Sequence, residues 1–589
     1  MRFFYVTVFL QVVCLCANAN SAFYQSDTTY EGFDRRANFF LSHYDTMRAP
    51  DYYACAAKYA RGIDVETADK NALSLLRHPS GDMFWMIAVM TMYLHGQGRM
   101  SRDVREGVKE AWKSYTPYRG DTENHWVQYY SALFLASEEW PDMSGKEWFN
   151  GKSSKENRDE AKSFLLSWMK ETTRIGSGEF DSPDYFPEYF NSMLLLAQFS
   201  RDAVIKKLGK MMADYLLSEF AVESLDGQYV GGFSRVYEPG VYEPEKTNVN
   251  AFAYLYFGQG VPILSGWITV AALSSYRPPE IIYDIAHDRS KPYVHTEIKR
   301  VRNIIRYAPL RNPKVYKYDY ITHDYALGSL QGGILQPIQQ HTWGLFLTTG
   351  RPYTTIFSIH PYWSSLELGM FFPEETETMI SSVTSSKTTY TNPEKWTGSS
   401  PYERTFQHKN TLIVLYKIPK GTNTDHIDGF FPGTLDTLFQ DPSGWIIARS
   451  GDVYIGWYPL RSFNWVNEGF YKRLRSYHLE NGLVLEVRSK KEIGSFYRFR
   501  HLLSFRIPKF SQRHGNPAVQ YSTLEGTELD FVYPETRQVN GKYVDLSTYG
   551  YYKGRFLRSK FNSGVIRIEY KTRAMILDFN KLTIKWNYR

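Results

Sequence analysis

A change of hydrophobic period near residue 290 constrains this chain more than any other feature. Before it, apolar residues recur every three or four positions, the spacing that gives a helix one buried face. Such runs cover residues 83–94, 104–112, 125–137, 159–169, 189–199, 204–218, 250–256 and 264–275. Ser101, Thr122, Asn157 and the pair Ser182-Pro183 supply helix-start signals: a short polar side chain for an open N–H, and proline where no N–H is needed. Many helices with short connections and no alternating strands predict helix-on-helix packing, an (α/α) toroid of paired helices first and a bundle second. After residue 290 the signals become those of strands. Segments 314–321, 411–416, 445–448, 453–457, 483–487 and 565–570 are rich in Val, Ile, Tyr and Trp, and turn clusters such as Asp441-Pro442-Ser443-Gly444 and Glu480-Asn481-Gly482 separate them. Short strands without intervening helices predict stacked antiparallel sheets. The expected architecture is α+β and multidomain: a helical toroid over 23–290, joined through Arg277-Pro278-Pro279 to an antiparallel β-sandwich over 291–589.

At 589 residues the chain exceeds what one core serves. A net charge of +7 spread without any block of like charge argues against a nucleic-acid partner, while a polyanionic substrate fits. Arg2, the apolar stretch 3–16 and the small residues of Ala17-Asn18-Ala19 or Asn20-Ser21-Ala22 read as a signal peptide over 1–22. No second apolar run approaches the ~20 residues of a transmembrane helix, so the expected destination is export, to a periplasm or the medium. Cys14 and Cys16 leave with that peptide and sit in no lipobox, and Cys55 alone forms no intramolecular disulfide. Aromatic residues reach 16%, with 46 Tyr and 14 Trp, side chains whose apolar face and polar edge suit sugar rings.

Four constellations carry candidate chemistry. Glu123-Asn124-His125-Trp126 opens a predicted helix after Gly120-Asp121-Thr122, and Gln128 and Tyr129 fall one turn on. Three polar residues in a row ahead of an apolar helix each need a partner if buried. Residues 176–189 place Glu179, Asp181, Asp184 and Glu188 beside Tyr185 and Tyr189; Glu179 and one tyrosine are expected inside, Asp184 and Glu188 in solvent. Gly231-Gly232-Phe233-Ser234-Arg235-Val236-Tyr237 joins glycines that permit close approach to a guanidinium that matches a carboxylate or sulfate. In the β half, His323, then Gln339-Gln340-His341-Thr342-Trp343, then His360 offer imidazoles; His341 and Trp343 are the substrate-contact candidates, at a domain interface.

Asn124-His125 at a helix start resembles the Asn-His pair of toroid polysaccharide lyases, the alginate lyases and heparinase II/III-like enzymes. The stretch Glu179 to Tyr189, Glu-x-x-Ser-Pro-x-Tyr-x-x-x-Tyr, resembles the segment carrying their catalytic tyrosine. Asn481-Gly482-Leu483-Val484-Leu485-Glu486-Val487, followed by Gly494-Ser495-Phe496, resembles their β-sandwich strands. Two departures stand out: Glu123 where many relatives have Asn, and no His-x-His-x-Asp motif. The resemblance implies β-elimination on a uronic-acid-containing polysaccharide. Asn124 and Arg235 would stabilise the enolate-like charge; His125 or a tyrosine (Tyr185 or Tyr189) would be the base and a tyrosine the acid. Glu179 and Tyr237 complete the catalytic set, while Glu123, Trp126, Gln128, His341 and Trp343 would hold the sugar. No metal or cofactor is required by this scheme. Two rivals follow from the same residues: inverting hydrolysis by Glu123 with Glu179 or Asp181, and non-catalytic glycan binding on the aromatics. Oligomeric state has no sequence signature here.

Overall fold

The computed structural model describes residues 27–300, 314–332, 339–349, 354–364, 376–386 and 391–588. The expected signal peptide over 1–22 lies outside the described residues. The chain has an α+β multidomain architecture, an N-terminal helical region followed by antiparallel sheets.

Thirteen helices are described before residue 290: α1 Phe33–Ser42, α2 Tyr52–Arg61, α3 Val65–Leu76, α4 Met83–Gly96, α5 Arg102–Ser114, α6 Glu123–Glu139, α7 Ser154–Ile175, α8 Phe186–Phe199, α9 Ala203–Val222, α10 Glu238–Tyr242, α11 Asn248–Phe257, α12 Gly266–Leu273 and α13 Glu280–His287. Their sequences sort them into two kinds. α4 reads MFWMIAVMTMYLHG and is apolar around its whole circumference, so it must be surrounded. α5 buries only Val104, Val108, Ala111 and Trp112, one stripe of an otherwise charged helix. The packing follows: α2 touches α4, α4 touches α6, α6 touches α8, α8 touches α12, and α12 returns to α2. The striped helices lie against this series, α3 on α2, α7 on α6 and α9 on α8.

The helix starts repeat a few devices. Ser101 accepts from Val104 N as expected. Thr122 occupies the N-cap of α6 without a cap bond, its hydroxyl being used by Asn124 and Arg235 instead. Asn157 is no cap: α7 begins earlier, at a capping box of Ser153 and Glu156. Ser182 takes the Tyr185 amide, and α8 then opens at Phe186-Pro187 rather than at Pro183.

The β half holds sheets of thirteen, six and five strands, paired antiparallel throughout the described residues. Strand Thr411–Lys417 shows how they stack. Leu412, Val414 and Tyr416 face Leu327, Trp343 and Leu345 of the large sheet. The alternate residues Ile413 and Leu415 face Val519, Tyr521 and Phe531 of the small one. A period of two buried on both faces makes this six-stranded sheet the middle layer. The other face of the large sheet, through Phe346, Phe357, Phe430 and Ile566, joins the helical core. The expectation of no helix among the strands fails: Lys490–Ile493 and Phe496–Leu503 are helical, and Ser495 caps the second by accepting from Arg498 N. Gly494-Ser495-Phe496 is therefore a helix start and not strand. Among the described residues no helix is long and apolar enough to cross a membrane.

Candidate functional site

Five helices of the contacting series present an aromatic ring at their first turn or their cap. Tyr53 lies in α2, Phe84 in α4, His125 in α6, Tyr185 at the cap of α8, and Trp267 in α12. Four of them form a half-exposed strip: Tyr53 and Trp267 at 6.3 Å, Trp267 and Phe84 at 5.5 Å, Phe84 edge-on to His125 at 5.7 Å. Trp126, next in sequence, packs on Tyr130 and Phe164 with the Arg119 guanidinium 4.2 Å above its ring. The turn ahead of α6 needs its glycine. Gly120 has φ 76°, and a Cβ there would stand 2.2 Å from His125 Nδ1, so the imidazole folds over a backbone that only glycine leaves open.

Behind this rim lies a buried polar frame. Glu123 is buried: Oε1 accepts from Trp168 Nε1 at 2.9 Å and Arg300 Nη2 at 2.6 Å, and Oε2 accepts the amides of Gly178 at 2.6 Å and Glu179 at 3.2 Å. Those bonds pin residues 176–179, which brings Glu179 beneath α6. Glu179 Oε2 accepts from Asn124 N at 3.0 Å, Asn124 Nδ2 at 2.6 Å and Tyr189 OH at 2.7 Å, while Oε1 pairs with Arg235 at 2.8 Å. Gln128 donates to Glu188 at 2.9 Å and to Asn124 Oδ1 at 3.3 Å. Tyr189 stacks on Trp168 at 5.6 Å.

Arg235 joins frame to rim. Its guanidinium lies 3.8 Å above the Tyr185 ring, and its Nε donates to Gln339 of the β half at 3.0 Å. Tyr185 is buried and its hydroxyl is hydrogen-bonded to that of Tyr237, which is 43% exposed. Burial holds the Tyr185 phenol well above its ordinary pKa, a shift that Arg235 only partly offsets. Burial likewise raises Tyr189, Glu188, and Asp184, the last to about 6.

Several expectations are corrected by this geometry. Glu123, Asn124, Gln128 and Glu179 are brought together, but as partners of one another, so they position the site and do not offer themselves to a sugar. Asp181 faces Lys317 at 2.8 Å on the far side of the loop. Glu188 is buried and not solvated, and Asp184 is half-buried, accepting the Tyr237 amide at 3.2 Å. His341 does reach the interface, where its backbone bridges Phe233, yet its ring is enclosed by Phe233, Phe346 and Phe357, and burial pushes its pKa down to about 3. Trp343 is fully buried in the inter-sheet core and donates to Ser358 at 3.0 Å, out of reach of any polymer. His360 is fixed by Ser400 and the Thr424 carbonyl, and His323 is a surface partner of Asp324. The rings of Tyr53, Phe84 and Trp267 escaped the sequence reading. Their signal was positional, each standing two residues after a cap at Asp51, Asp82 or Ser265.

No protein-family model matches this sequence, and no curated protein does.

Proposed function

We propose that the chain is an exported lyase that cleaves a uronic-acid-containing polysaccharide by β-elimination, with an (α/α) toroid carrying the cleft and a β-sandwich closing one side of it. The observation that carries this reading is the hydrogen-bonded pair Tyr185–Tyr237 under the Arg235 guanidinium, on the same frame as the start of α6, where His125 meets a half-exposed aromatic strip. The return of α12 to α2 supports the toroid.

In this reading the sugar rings lie on the strip and the uronate carboxylate meets Arg119, a half-exposed cation next to Gly120 and over Trp126. That replaces Arg235, which is buried and paired with Glu179. His125 takes the C5 proton, the C–H electron pair becomes the C4–C5 double bond, and the C4–O bond breaks. The leaving oxygen receives a proton from Tyr237, which Tyr185 replenishes through their shared hydrogen bond. The Tyr185 phenol, whose pKa is raised by burial, stays protonated and suits passing a proton on better than abstracting one. Each such transfer is worth about 10²–10⁴ in rate.

Incubation with a panel of uronate-containing polymers, followed by near-ultraviolet absorbance, tests the proposal. Unsaturated product is expected from at least one polymer, with a loss of about 10²-fold or more in His125→Ala and Tyr237→Phe. New reducing ends without absorbance would make the chain a hydrolase. Binding without cleavage would make it a glycan-binding protein.

A further inference from the structure

A second polar cluster lies where the end of the helical region meets the first strands of the large sheet, away from the cleft. Glu223 follows α9, while His295, Glu297 and Lys299 alternate along strand Tyr293–Arg300, so all three point to one face. Lys317 and Asp319 lie on the neighbouring strand Lys314–Ile321, and Asp181 and Glu219 close the group from the helical side. Each of these eight side chains is buried.

The charges do not balance. Five carboxylates surround two ammonium groups, Lys299 and Lys317, which leaves three negative charges uncompensated when all are ionised. Buried charge on that scale needs a counter-ion or protons. His295 points independently to a ligand. It is fully buried, neither ring nitrogen has a hydrogen bond, and Nε2 stands 3.6 Å from Glu223 Oε1. Nδ1 is blocked by the backbone at Gly554, where a Cβ would lie 2.2 Å away, so Nε2 is the nitrogen turned to the carboxylates. The lysines hold both glutamates in place: Lys317 lies 3.0 Å from Glu223 Oε2 and 3.4 Å from Glu297 Oε1, and Lys299 lies 2.8 Å from Glu297 Oε2. One oxygen of each of the two glutamates and one imidazole nitrogen lie within 4.8 Å of one another.

We infer that Glu223, His295 and Glu297 bind one divalent transition-metal ion that ties the helical region to the sheet. One imidazole and two carboxylates suit zinc or manganese, whereas calcium takes six to eight oxygens. Ligand separations of about 3.3 Å follow from tetrahedral bonds of about 2.0 Å, a modest contraction of the present arrangement. The two lysines then act on the glutamates as second partners, as groups around metal ligands commonly do. With the ion bound, the uncompensated charge falls from three to one. None of these residues belongs to the cleft, so the inference stands or falls separately from the lyase reading.

The full-length chain is loaded with excess Zn²⁺ or, separately, Mn²⁺, dialysed into metal-free buffer, and its metal measured by elemental analysis. About one equivalent of one of the two ions is expected in the native chain and less than a tenth in His295→Phe. Retention below a tenth of an equivalent of both ions by the native chain overturns the site, and so does equal retention by the variant. Should His295→Phe fail to fold, X-ray absorption of the native chain decides: one imidazole with oxygen donors is the expected shell, and a shell without imidazole overturns it.

Discussion

Replacing Glu179 by Gln tests whether this carboxylate is a frame member or a reagent. The side chain keeps its shape but loses its charge, and one acceptor oxygen becomes an NH₂ donor. In the native protein Oε2 receives three donors and Oε1 faces the Arg235 guanidinium. Whichever way the amide turns, its NH₂ confronts a donor, and Arg235, 6% exposed, loses its ion pair with Glu179. Breaking one side of a buried ion pair costs about 3–5 kcal/mol. Spread over a cooperative unit of a few hundred residues, that lowers Tm by about 6–15 °C. The assay is differential scanning calorimetry of Glu179→Gln, Arg235→Met and the double variant. If the frame holds, the double variant recovers part of the loss, because Met removes the stranded charge, and the coupling comes out at about 2–3 kcal/mol. A fall below 2 °C with additive effects would mean that Glu179 is not the anchor described above, and the hydrolytic reading would regain its acid.

Other perturbations separate rim, frame and core. Gly120→Ala forces a Cβ to within 2.2 Å of His125 Nδ1 at a φ of 76°, so steady-state kinetics should show activity lost with the imidazole displaced while circular dichroism stays native. Trp343→Ala should cost about 3–5 kcal/mol by chemical denaturation, and any kinetic effect should follow from that instability. His341→Phe should gain on the native protein as pH falls. The imidazole is held neutral down to about pH 3, so between there and its usual value near 6.5 only the unfolded chain binds the proton, and stability is lost on acidification. The difference at pH 5 relative to pH 7 is about 2 kcal/mol in favour of Phe, read from denaturation midpoints at the two values.

The switch from helix to strand was legible because the first half repeats a helical period and the second is rich in β-branched and aromatic residues between turns, and α4, α6 and α8 begin within three residues of their sequence estimates. The helix Phe496–Leu503 was also readable, since Phe496, Phe499 and Leu503 recur at helical spacing, but it was hidden by the strands on either side. Which polar groups would be frame and which rim was not legible. Glu123 meets Arg300 across 177 residues and Glu179 meets Arg235 across 56. No local pattern encodes those meetings. A buried carboxylate is satisfied wherever the fold delivers a donor, so its role is settled by tertiary packing and its neighbours in sequence are silent.

The frame also explains why the two halves of the chain belong to one site. Glu123 orders residues 176–179 only with the help of Arg300, at the end of a strand of the large sheet, and Arg235 keeps its angle over Tyr185 with Gln339 on its Nε. The segment that carries Arg235 is held by backbone bonds from Phe233 and Val236 to the carbonyls of His341 and Gln339. Helices alone would therefore present the aromatic strip, because its rings sit on α2, α4, α6 and α12, but would not fix the phenol pair. In the proposed reaction, sugar affinity and chemistry then have separate structural sources: the first resides in the helix starts, and the second requires the sheet to dock. The acids that stand out in the sequence spend their charge on that docking, so the proposed reaction draws on imidazole, phenol and aromatic faces, with Arg119, to meet a polymer.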